Sequence, residues 1–131
     1  MTKSTSRPAV IYLARAADGL AAFGRFVDSY WRQEAGVEHD FVVIYKGFAG
    51  PSELGNARAI FKGLAYRGIE LPDEGFDIGS YLEACRRLEQ DVVCCLNTHS
   101  EIAAPNWLGR LVAQLSLDSV GLVGPMGSYE R

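Results

Sequence analysis

The chain alternates between short apolar runs and amphipathic stretches. Four runs stand out: Ala9-Val10-Ile11-Tyr12-Leu13-Ala14, Phe41-Val42-Val43-Ile44-Tyr45, Val92-Val93-Cys94-Cys95-Leu96 and Val120-Gly121-Leu122-Val123. None alternates cleanly between apolar and polar. Near-continuous runs rich in β-branched and aromatic residues are the pattern of strands buried on both faces. Between the first two runs, Leu20, Phe23, Val27, Tyr30 and Trp31 recur every three or four positions, with Arg25, Asp28 and Arg32 opposite. That spacing predicts an amphipathic helix ending near Gly36. A second helix is expected over Glu53 to Ala65, after Pro51-Ser52 and before Gly68. A third is expected from Asp77 to about Glu89, with Ile78, Tyr81, Leu82, Cys85 and Leu88 inward. A fourth is expected from Pro105 to Leu117, with Trp107, Leu108, Leu111, Val112 and Leu115 inward. Pro105 suits a first helical turn, where its missing N–H costs nothing. Ile69 to Leu71 reads as a short strand before the turn at Pro72-Asp73-Glu74-Gly75. Strands alternating with helices predict an α/β domain, with right-handed crossovers, a mostly parallel sheet and helices on both faces.

Length and charge narrow the class. The 131 residues amount to one domain, with residues 1–7 as a flexible tail and residues 8–131 as the folded unit. The net charge is −3 and the pI is about 5.3. No Lys/Arg cluster stands out, so bulk nucleic acid is not the expected partner. The acidic balance leaves a nucleotide ligand open, because small phosphates are held by local groups. No apolar run approaches the ~20 residues that span a bilayer. Met1 to Arg7 has no apolar signal core behind it, and a cytoplasmic location is expected. Cys85, Cys94 and Cys95 are odd in number, two of them adjacent, and no metal-binding spacing accompanies them. They fit a reducing compartment and read as inert, buried strand residues.

Ligands of open α/β sheets bind beyond the carboxyl ends of the strands. That rule directs attention to the loops at Arg15 to Gly19, Lys46 to Gly50, Asn97 to Glu101 and Gly124 to Ser128, and to the turn at Gly75 to Gly79. Asn97, Thr98, His99, Ser100 and Glu101 directly follow a buried strand. They are able to hold a divalent metal, or simply to support a strand-to-helix loop by local hydrogen bonds. Asp77 reads as an N-cap of the third helix. Lys46 and Arg15 can each meet a phosphate or lie solvated at a strand end. His39 is expected at the surface. No GxGxxG, P-loop or GxSxG motif is present.

The stretch from Val92 through Leu96-Asn97-Thr98-His99 to Trp107-Leu108-Gly109-Arg110-Leu111, followed by Ser119-Val120-Gly121-Leu122-Val123-Gly124-Pro125, resembles the central motif of family 2 glycosyltransferases of the GT-A fold. There a buried strand ends in Leu-Asn-x-Asp. A helix start with Trp-Leu and a strand reading Val-Gly-x-Val-Gly follow. The first strand and helix, Val42 to Lys46, and the Gly75-Phe76-Asp77-Ile78-Gly79-Ser80-Tyr81 turn fall in the same order. The resemblance implies a Rossmann-like, nucleotide-binding GT-A half that binds a nucleoside diphosphate sugar. It also implies a divalent metal, Mn²⁺ or Mg²⁺, that neutralises the diphosphate as the leaving group departs. Asn97 and His99 stand where the family's metal-binding pair would be. Asp77 would lie near the base, and Arg15 with its loop would face the nucleotide.

Three departures qualify the resemblance. His99 replaces the usual second aspartate, although a neutral imidazole can still ligate. Lys46 stands where the family often has an aspartate. Family members continue beyond the equivalent of Arg131 with a part that carries the acceptor site and general base. Glu101 and Glu130 are the nearest stand-ins for a base here. The expected reaction is glycosyl transfer to an unidentified acceptor hydroxyl. The alternative is a binding or assembly domain with the same fold and no turnover. A homo-oligomer is also expected, because a shortened sheet leaves an edge open. A flavodoxin- or response-regulator-type domain fits less well, because Arg15-Ala16-Ala17-Asp18 supplies a single acid.

Overall fold

The computed structural model describes residues 7–115. Four strands form one sheet: β1 (Ala9–Arg15), β2 (Asp40–Lys46), β3 (Arg67–Leu71) and β4 (Val93–Leu96). The order is β3-β2-β1-β4 and every pairing is parallel. Four helices connect and cover them: α1 (Leu20–Arg32), α2 (Pro51–Ile60), α3 (Asp77–Arg86) and α4 (Trp107–Leu115). A short 3-10 turn, Ala16–Asp18, joins β1 to α1. This is a Rossmann-like α/β arrangement, with helices on both faces of a parallel sheet.

The apolar runs are continuous because β1, β2 and β4 have core on both sides, whereas the edge strand β3 buries only Ile69. On β1, Val10, Tyr12 and Ala14 face Phe23, Phe26 and Val27 of α1, Ala57 of α2 and Leu108 of α4. Ile11 and Leu13 face the other way, into a smaller core with Val42, Ile44, Ile69 and Ala84 of α3. The larger core is aromatic. Tyr12 stacks on Phe26 with centroids 4.0 Å apart and planes 11° from parallel. The Tyr12 hydroxyl donates to the Thr98 carbonyl at 2.6 Å, so its polar end is satisfied deep in the fold. Ser29, also buried, donates to the Phe26 carbonyl and accepts from the Ile102 amide, both at 2.8 Å. It thereby fixes the chain after β4 against α1.

Several helix expectations are corrected. α1 stops at Arg32, where Gln33 turns extended, rather than running on to Gly36. Its inward stripe is Ala22, Phe23, Phe26, Val27 and Ser29, while Trp31 is 62% exposed. At 100° per residue, Phe26 lies at the centre of that stripe and Trp31 at its margin. α2 begins at Pro51 and ends at Ile60, because Phe61 turns inward and a turn follows. α3 ends at Arg86, and its Ile78 and Leu82 are 68% and 58% exposed instead of inward. Ser80 and Ala84 take the inward positions, because a helix lying close on a sheet needs small side chains at the contact. Pro105 lies before α4, not in it. Asn106 has φ of 58° and its amide donates to the Glu34 carbonyl at 2.7 Å, so the helix starts only at Trp107. His39 is half-buried: its Nδ1 meets the Val37 carbonyl at 2.9 Å and its Nε2 the Tyr30 hydroxyl at 2.6 Å. The expected strand Val120 to Val123, the Gly124 to Ser128 loop and Glu130 lie outside the described residues.

Candidate functional site at the carboxyl edge of the sheet

The connections set where a ligand can enter. α1 and α2 carry the chain from β1 to β2 to β3 across one face. α3 crosses the opposite face and returns the chain past β1 to β4. The direction of travel therefore reverses between β1 and β4, and their following loops diverge above the strand ends. Such a switch point is the common ligand crevice of open α/β sheets.

Thr98 ties the two loops together. Its hydroxyl donates to the Leu13 carbonyl at 2.7 Å and accepts from the Arg15 amide at 3.2 Å. The side chain thus completes the edge of β1 where β4 has already ended. Beside it, His99 Nε2 lies 3.5 Å from Asp18 Oδ1, joining the loop after β4 to the turn after β1. Asn97 turns its amide oxygen into its own loop, where it accepts from the His99 amide and the Ser100 hydroxyl, both at 3.1 Å.

The second group lies one strand over. Arg15 and Lys46 are register partners at the ends of β1 and β2. By strand alternation Arg15 follows Ile11 and Leu13, and Lys46 follows Val42 and Ile44, so both extend toward the α3 face. Lys46 was expected to be solvated or to meet a phosphate, and it is in fact only 1% exposed. Among the described residues its Nζ has one hydrogen bond, a long one of 3.4 Å to the Gly75 carbonyl. Arg15 Nε lies 3.4 Å from Asp73 Oδ1, and both side chains are partly exposed. The loop Pro72–Phe76 is thereby drawn over the ends of β1 and β2. Gly47 makes this possible: its φ is +82°, and a Cβ there would press into the Asp73 side chain.

Asp77 sits in the first turn of α3, not at its cap. Phe76 holds the N-cap position and makes no side-chain capping bond. The Asp77 carboxylate still interacts favourably with the helix dipole from there. Glu101 lies 3.7 Å from Arg25 on α1, on the outside of the α1 face. Cys94 and Cys95, expected to be buried, are half-buried on β4. Burial pushes Cys94 up to about 11 and Cys95 up to about 12.

The Asn97 and His99 pair does not fit a divalent metal well. The Asn97 oxygen already accepts two hydrogen bonds. Among the described residues no cluster of three or more His, Cys, Asp and Glu side chains is placed to hold a metal ion. The structure brings together Arg15 with Lys46, and His99 with Asp18. Sequence reasoning named Asp18, Asp73 and Thr98 only as members of their loops and gave none of them a contact of its own. Asp18 and Thr98 lay in loops already singled out, but nothing local distinguished them from turn-formers.

No family model, curated protein or solved structure matches the chain. The site therefore stands on its own geometry. A cleft of about 500 Å³ lies at the same edge between the loops after β2 and β3, on the α2 side of the sheet, and is lined by Tyr45, Phe48, Pro51, Leu54, Glu70 and Pro72. A groove of about 490 Å³, with Arg7, His39, Asp40, Arg67 and Arg87 among its lining, lies at the opposite, amino-terminal end of the strands. The carboxyl edge carries more weight, because there crossovers on opposite faces part the loops, whereas the amino-terminal groove is a gap between strand starts. No helix among the described residues is long and apolar enough to cross a membrane.

Proposed function

We propose that the chain binds a nucleoside diphosphate sugar at the carboxyl edge of its sheet, as the nucleotide-binding part of a glycosyltransferase-like domain. The reversal of strand order between β1 and β4, with two cationic side chains at the neighbouring strand ends, carries this reading. Arg15 and Lys46 supply positive charge for the phosphates. The cleft at the ends of β2 and β3, with Glu70 in its lining, offers aromatic and proline surface to a base that reaches over the end of β2. Asp77, in the first turn of α3, stands at the same edge with a carboxylate able to accept from a base N–H. The reaction such a domain serves is transfer of the sugar to an acceptor hydroxyl.

A second reading is a binding or assembly domain without turnover. The Arg25 contact to Glu101 favours it. Glu101 is the described carboxylate considered for a base, and it is held on the α1 side by a cation. Calorimetric titration with UDP, GDP, dTDP and their sugar conjugates tests the binding claim. Saturable heats with one nucleotide, and product formation when an acceptor is supplied, support transfer. Binding without product, including no hydrolysis of the sugar conjugate, supports the second reading. Silence across the panel from a well-folded sample overturns nucleotide-sugar binding and leaves an assembly role.

A further inference from the structure

The Lys46 ammonium is buried with little to hold it. It is 1% exposed, and no carboxylate of the described residues lies within ion-pairing distance. Among the described residues its three N–H donors find one acceptor, the Gly75 carbonyl, at a long 3.4 Å. A buried cation is normally paired and fully hydrogen-bonded, since leaving it otherwise is costly. Nothing in the strand pattern requires a lysine here. The preceding inward positions of β2, Val42 and Ile44, are apolar, and a Leu or Met would continue them.

Three further observations fit an anion beside it. Arg15 is its register partner and extends to the same face. The first turn of α3, which starts two residues beyond Gly75, has no side-chain cap, so N–H groups of that turn remain available. The loop between, Pro72–Phe76, rests on this cationic pair through two weak contacts. They are Lys46 with the Gly75 carbonyl and Arg15 with Asp73, each at 3.4 Å. The Asp73 carboxylate and the Gly75 carbonyl oxygen are themselves negative groups facing the two cations. An entering phosphate can exchange with both of them, with the loop moving outward.

We infer that Lys46 and Arg15 are the countercharge of a diphosphate, so that the nucleotide is bound without a divalent cation. The inference rests on the nucleotide reading above and deepens it. It also explains why the Asn97 amide oxygen is free to serve its own loop. Asp73 acts as the ligand's internal competitor: it occupies Arg15 until the diphosphate arrives.

The test is titration of the full chain with UDP, GDP, dTDP and inorganic pyrophosphate, each in EDTA and in Mn²⁺. Lys46→Met, Arg15→Gln and Asp73→Asn are run beside the wild type, with near-UV circular dichroism confirming the fold of each. The expected result is a Kd within about twofold between EDTA and Mn²⁺. Lys46→Met and Arg15→Gln should each weaken binding at least tenfold, about the value of one charge-assisted contact. Asp73→Asn should tighten it severalfold, an effect opposite in sign and not expected from damage to the fold. Binding that disappears in EDTA overturns the inference and leaves the nucleotide reading standing. Folded Lys46→Met with wild-type affinity overturns it as well. Pyrophosphate binding that depends on Lys46, with no nucleotide bound, supports the anion site and sinks the nucleotide reading. No binding of either class in any condition overturns both.

Discussion

Lys46→Met should make the ligand-free protein more stable. Methionine has nearly the same length and volume as lysine, so the packing between the end of β2 and the Pro72–Phe76 loop is largely kept. What disappears is an ammonium that is 1% exposed and has, among the described residues, a single bond of 3.4 Å. An incompletely satisfied buried polar group costs ~1–3 kcal/mol, more when charged, and the bond lost with it contributes ~0.5–1 kcal/mol. The net gain works out at ~1–2 kcal/mol, equivalent to ~3–8 °C in Tm for a domain of this size. Urea titration and thermal melts of ligand-free wild type and variant at pH 7 measure it. Lys46→Ala is the control. It removes the same charge but opens a cavity, so it should fall below Lys46→Met. A Lys46→Met protein less stable than wild type by ~1 kcal/mol or more would refute the reasoning, because the ammonium would then be well paired within the unliganded fold. The expected pattern of higher stability with lost binding would mark Lys46 as kept for its ligand at the expense of the fold.

Thr98→Val should lower stability by ~2–4 kcal/mol in urea, since it leaves the Leu13 carbonyl and the Arg15 amide without their partner; a change under ~0.5 kcal/mol would show that water replaces the hydroxyl. Phe26→Ala should cost ~3–5 kcal/mol by removing the ring stacked on Tyr12 at the centre of the larger core, and calorimetric melting measures it. Cys94 and Cys95, pushed by burial from 9.0 to about 11 and about 12, should react slowly with a thiol reagent at pH 8 until the protein is unfolded. Their folded-state values are raised, so their contribution to stability is intact below about pH 9 and is lost as pH rises through about 11 and about 12. The urea midpoint of the wild type should accordingly fall more steeply across that window than that of the Cys94→Ala/Cys95→Ala variant, and parallel curves would contradict the assignment.

The sequence by itself determined the elements and their kind. Runs such as Phe41 to Tyr45 call for cover on both faces, and their alternation with helices points to a parallel sheet between helix layers. The four described strands and four helices all lie where the pattern put them, displaced by a few residues at their ends. Helix ends were less legible, because Phe61 and Asn106 stop or delay a helix through tertiary contacts that no local signal encodes.

The candidate site was legible only as a set of loops. Arg15, Lys46, Asp77, Asn97 and His99 were all named from their positions after strands or at a helix start, yet nothing in the chain order says which of them meet. Residues 15 and 46 become neighbours only because β1 and β2 pair in one particular register, and residues 18 and 99 because α3 returns the chain to the far side of β1. Burial of Lys46 is likewise a tertiary outcome. A strand-end lysine is ordinarily solvated. Here the positive φ of Gly47 lets Asp73 lie close against the strand end, and the loop that follows closes over the ammonium. Local pattern fixes which backbone each segment can adopt, whereas charge placement depends on pairing between segments far apart in the chain.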